Sequence, residues 1–98
     1  MVNCPSTNIL LSPPGGMDSK TRKCLSEIQT YLEINGNLYS TSSDNINRPR
    51  RTEYHYFMGD SVVKITTFSY KANIEIVSHK EDSLLGLKKS IESFLNKD

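Results

Sequence analysis

The stretch that decides the fold is Thr52–His79, TEYHYFMGDSVVKITTFSYKANIEIVSH. Apolar and β-branched residues alternate with polar ones here, and the alternation is broken at Gly59-Asp60 and again near Lys71-Ala72. Period-two alternation between turn signals predicts three antiparallel strands, Thr52–Met58, Ser61–Tyr70 and Asn73–His79. Gly59-Asp60 suits a two-residue type II′ turn, which sets Tyr56 opposite Val63, Tyr54 opposite Ile65 and Phe57 opposite Val62. An even loop at Lys71-Ala72 sets Ser69 opposite Ile74 and Thr67 opposite Ile76; a four-residue loop keeps the same parity. In that register one face collects Tyr54, Tyr56, Met58, Val63, Ile65, Thr67, Ile74 and Ile76. An odd loop would turn Ile74 and Ile76 to the other side, away from Tyr54, Tyr56, Val63 and Ile65, which argues for an even loop.

Working outward, two amphipathic helices flank the meander. From Asp18 or Ser19, as N-cap, to about Glu33, the residues Cys24, Leu25, Ile28, Tyr31 and Leu32 form one stripe at helical spacing. Basic residues early and acidic ones late oppose the helix dipole, so packing must hold this helix. Asn35-Gly36 reads as a left-handed stop. The second helix, Asp82–Asn96 with Asp82 as cap, carries Leu84, Leu87, Ile91, Phe94 and Leu95 on one face. Asn8–Leu11 suits a short first strand and Asn37–Thr41 a short edge strand. Both helices need an apolar partner, and the apolar sheet face is the one available. The expected fold class is α+β, a two-layer sandwich of an antiparallel meander of about three to five strands with two helices on one face.

Composition fits one domain spanning residues 1–98. The chain has 98 residues, of which 36% are hydrophobic, too few for two separate cores. The irregular parts are expected at residues 1–7 and in a flexible loop over 42–51, which is polar and turn-rich. Twelve basic residues against 11 acidic ones give a net charge of +1, which removes wholesale attraction to nucleic acid or membranes. No apolar run reaches a membrane span, and Val2–Leu11 lacks the charged-then-apolar build of a secretion signal. Two cysteines, Cys4 and Cys24, fit a reducing, intracellular location better than a disulfide-stapled secreted domain. Cys24 reads as a small hydrophobe on its helix.

The opposite sheet face is expected to be open, with Phe57, Val62, Phe68, Tyr70 and Val77 as partner-binding residues. A protein partner or self-association accounts for such a face most directly. The alternatives are a nucleic-acid surface, or a cover supplied by Asn8–Leu11. In the expected register His55, Lys64 and His79 stand side by side as an anion-binding row. Arg48, Arg50 and Arg51, near Lys20, Arg22 and Lys23, add a basic cluster that could hold phosphate or an acidic partner. With the sheet aromatics these residues define the alternative, a small nucleic-acid-binding domain.

No motif for catalysis is present: there is no nucleophile elbow, no phosphate loop and no paired acid and base. No metal-ligand spacing, cofactor motif or small-molecule substrate site is readable. The segment NIEIVSHKEDSLLGLKKSIESFL, with Leu87, Lys88, Ser90, Ser93 and Phe94, resembles the end of the small subunit of the KEOPS tRNA-modification complex. The order helix, meander and terminal helix is similar to the kinase-associated C-terminal domain. Both resemblances imply a non-catalytic interaction module. The expected function is therefore a subunit or adaptor of a larger complex, binding through the open sheet face or an edge strand.

Overall fold

A computed structural model describes residues 5–12, 15–16, 18–44, 51–68 and 71–95. The elements in chain order are β1 (Ser6–Leu11), α1 (Ser19–Asn35), β2 (Asn37–Asp44), β3 (Arg51–Phe57), β4 (Ser61–Thr67), β5 (Ala72–Ser78) and α2 (Glu81–Leu95). The five strands form one antiparallel sheet in the order β1-β5-β4-β3-β2. Both helices pack on one face of it, giving the two-layer α+β sandwich expected.

The core follows from the alternation. Tyr56, Val63, Ile65, Ala72, Ile74 and Ile76 are fully buried beneath Leu25, Ile28 and Leu32 of α1 and Leu84 and Ile91 of α2. Ile65 pairs with Ile74 and Val63 with Ile76, so β-branched side chains lie side by side across the two central strands. Tyr56 brings a phenol into this core; burial pushes its pKa up, while Gln29 on α1 offers a hydrogen bond. The rings of Tyr31 and Phe94, 5.6 Å apart, join the two helices. No basic residue lies in the last turn of α1 and no acidic one in its first, so burial of its stripe holds it.

Several sequence expectations are corrected. Between β4 and β5 the four-residue loop is Phe68–Lys71, closed by the Phe68 N–H donating to the Lys71 carbonyl at 2.8 Å, and Thr67 faces Ala72. Parity is kept, so the residues within β3, β4 and β5 stay on their expected faces, but Ile74 sits opposite Ile65 rather than Ser69, and Ile76 opposite Val63 rather than Thr67. The reason is packing: the expected pairing would set Val63 against Lys80, while the observed one sets it against Ile76. Asn35-Gly36 is not a left-handed stop either. Gly36 is extended (φ −150°, ψ −153°), and its lack of a side chain serves a close approach. The turn at Gly59 does need glycine: its φ is +74°, no non-glycine residue among those described has positive φ, and the Met58 N–H donates to the Ser61 carbonyl at 2.8 Å. That pattern fits type II′.

The irregular N-terminus is shorter than residues 1–7, since β1 begins at Ser6. The expected loop over 42–51 begins and ends in strand, with residues 42–44 in β2 and Arg51 in β3. Asp82 lies inside the first turn of α2 rather than capping it.

Asp18 does cap α1, accepting the Thr21 N–H at 2.7 Å. Thr21, through its hydroxyl first and then this N–H, holds the Asp18 carboxyl below its usual value. At the other end of the molecule Asp60 accepts from Ser83 at 2.9 Å and Ser61 at 3.2 Å, tying the β3–β4 turn to α2, and its carboxyl is likewise lowered, chiefly by Ser83. Both folded pKa values lie below the unfolded value of 3.8. Their contribution to stability is therefore complete above about pH 4 and is lost as pH falls through the lowered values. Urea midpoints measured from neutral pH downward should fall less steeply below about pH 4 in the D18N/D60N double variant than in the wild type.

Candidate interaction surface

The sheet face away from the helices is covered by no described element. Asn8–Leu11, one candidate cover, is instead part of β1 and extends the sheet beside β5. The uncovered face is thereby widened to five strands, and its rows can be read across the registers.

One row, nearest the Gly59 turn, is Phe57–Val62–Val77, directly opposed on three adjacent strands and ending at Ser6 of β1. Phe57 is 50% exposed, and Val62 and Val77 are half-buried. The next row is His55–Lys64–Glu75–Asn8. The expected His55–Lys64–His79 row does not form, because the register places Glu75 opposite Lys64. His79 lies beyond the end of β5, where its N–H donates to the Asp60 carbonyl at 3.2 Å. Three converging nitrogens are thus replaced by alternating charge. Lys64 also approaches Glu53 diagonally at 3.7 Å, a pair exposed enough for solvent to weaken it.

A third row holds Glu53, Thr66, Asn73 and Leu10, the last 63% exposed. Arg51 shares this face, opposite Asp44 on β2. At the far end the Lys71 ammonium stands 5.0 Å from the centre of the Phe68 ring. Tyr70, Arg48 and Arg50 lie outside the described residues. The expected basic cluster is divided: Arg51 is on the sheet face, whereas Lys20, Arg22 and Lys23 belong to α1 in the helix layer.

Sequence reading missed Tyr39. The β2 register shifts between Leu38 and Ser40, a bulge that breaks the two-residue alternation from which a face can be assigned. At this bulge Tyr39, 55% exposed, brings its ring within 5.8 Å of His55 and 6.3 Å of Phe57, both edge-on. The available signal was an aromatic residue on a short edge strand. Tyr39 and Phe57 give this corner two large exposed rings, which are common anchors in protein interfaces.

The helix layer offers a different feature, a groove of about 420 Å³ lined by Leu11, Lys20, Thr21, Lys23, Cys24, Glu27, Phe94 and Leu95. Cys24 is half-buried rather than fully buried, and it is a free thiol. Burial first, and Glu27 second, push its pKa up, and its Sγ donates to the Phe94 carbonyl at 3.0 Å. A thiol held in its protonated form is a poor nucleophile. The Cys4 side of the cysteine pair lies outside the described residues. Among the described residues no group of three or more His, Cys, Asp or Glu side chains is placed to hold a metal ion. Among the described residues no helix is long and apolar enough to cross a membrane. No known protein family matches the chain, and neither the curated proteins nor the solved structures yield a significant match.

Proposed function

We propose that this chain is a non-catalytic protein-interaction module, a subunit or adaptor of a larger intracellular complex, that binds through the outer face of its sheet. The observation that carries this reading is the uncovered Phe57–Val62–Val77 row with Tyr39 beside it. An apolar row flanked by charged and polar rows has the layout of an interface core and its rim. The outer edges of β1 and β2, which no described strand pairs, offer a second mode of contact, strand addition. The free Cys24 thiol suits a reducing compartment.

The test is affinity capture on the full chain, followed by titration with the purified partner. The variants are Y39S and F57S, whose side chains are half exposed and dispensable for the core. Each should weaken binding at least about tenfold, the usual effect of removing an aromatic anchor, with an unchanged circular dichroism spectrum. Unchanged affinity in both variants would remove the outer face from the function. Capture of nucleic acid, with binding that falls steeply as salt rises, would replace this reading with the nucleic-acid one.

A further inference from the structure

We infer that the occupant of the outer face is a second copy of this chain, docked sheet against sheet; this rests on the reading of that face as protein-binding. The order of the rows fixes how two such faces can dock. Across β3, β4 and β5 the charged row runs His55, Lys64, Glu75, and the row beside it runs Phe57, Val62, Val77. A two-fold axis between the sheets and parallel to the strands preserves position along the strand and reverses order across it. The apolar row then meets itself. With the axis between β4 and β5, Lys64 comes over Glu75 of the other copy in both directions, and Val62 over Val77. An axis running across the strands preserves the lateral order instead, so a charged row laid on itself would set Lys64 over Lys64 and Glu75 over Glu75.

Neutrality supports the same occupant. A patch with a net charge repels its own copy, and the β4–β5 pair at the axis balances Lys64 against Glu75. A ligand of one sign, such as a nucleic-acid backbone, gains nothing from that balance. Size is also adequate. The four overlapping strands, β1, β5, β4 and β3, about 4.8 Å apart and roughly seven residues long at about 3.3 Å each, give about 440 Å² in projection. Side-chain relief raises the accessible area toward the ~800 Å² per partner of a standard interface. Self-complementary faces of this kind are what a closed two-fold dimer requires.

The test uses the full chain in light scattering and sedimentation over rising concentration. The wild type should show twice the chain mass. K64E and E75K should each raise the dimer dissociation constant at least about tenfold, since each sets like charges across the interface. An equimolar mixture of the K64E and E75K chains should recover the dimer. In that heterodimer both contacts join opposite charges, while each chain still carries its own internal change. Circular dichroism and urea midpoints check that both variants fold, and F57S, whose side chain is half exposed on an overlapping strand, should weaken the dimer as well. A wild type that stays monomeric through the millimolar range, single variants that dimerise unchanged, or a mixture that fails to recover would each overturn the second-copy assignment. If the chain is monomeric yet Y39S and F57S abolish binding of another protein, only the second copy is refuted; if neither dimer nor partner depends on this face, both readings fall.

Discussion

Ile28→Ala is expected to remove about 3 kcal/mol of stability, the usual cost of emptying a fully buried aliphatic site. Ile28 has no accessible surface and lies over the sheet between Leu25 and Leu32 on α1. Alanine is the better helix former, so local propensity should favour the variant by a few tenths of a kcal/mol. The sign of the result therefore reports packing against the sheet alone. Ile34→Ala on the same helix is the control. Ile34 is 77% exposed, so its loss should change stability by less than about 0.5 kcal/mol. For a domain of this size a total of roughly 5–15 kcal/mol is expected, and losing 3 lowers Tm by more than about 10 °C. Urea unfolding with an unchanged slope would measure both variants. Equal effects at the two positions would mean that α1 is not seated as described.

Gly36→Ala is expected to cost about 2–3 kcal/mol, for a reason unrelated to backbone conformation. A Cβ at this position would lie 2.5 Å from the Phe57 carbonyl oxygen, 3.2 Å from the Leu32 carbonyl oxygen, and against the Met58 sulfur. The methionine can swing away, but the carbonyls belong to β3 and α1 and cannot move without disturbing the sheet or the helix. A left-handed helix stop, as the Asn35-Gly36 pair suggests, would tolerate asparagine better than alanine. Close approach makes the opposite demand, because asparagine is the larger residue. Gly36→Asn should therefore be at least as damaging as Gly36→Ala, and amide exchange should show protection lost first in β2, which starts at the next residue. An asparagine variant close to wild type in stability would refute the steric account.

The legible parts of this fold are those where two local signals agree. Gly59-Asp60 and the alternation around it specified the same register, and Tyr56–Val63 and Tyr54–Ile65 pair as the turn requires. At the next turn the alternation carried parity only. Lys-Ala offers no strong turn chemistry, so the loop slid to Phe68–Lys71, where the pairing of Ile65 with Ile74 is satisfied. That slip left the core assignment intact and redrew the outer face, replacing His79 by Glu75 beside Lys64. Core membership depends on which side a residue faces, whereas a polar site depends on which row it occupies. Tyr39 was illegible because a bulge has no fixed sequence pattern. The partner of β1 was illegible as well, since nothing in STNILL selects β5 over any other strand with an open edge.

The placement of β1 bears on how the molecule is made. Asn8 and Asn73 lie 65 positions apart and meet as neighbours across β1 and β5. During synthesis at roughly 5–20 residues per second, the first strand leaves the ribosome several seconds before its partner exists. For that interval Ile9, Leu10 and Leu11 have no β5 to pair with, and the strand must wait for almost the whole chain. Pairings this distant in sequence slow folding and are the last to be rewarded. The earliest of these strands to be translated is thus expected to be the last to dock.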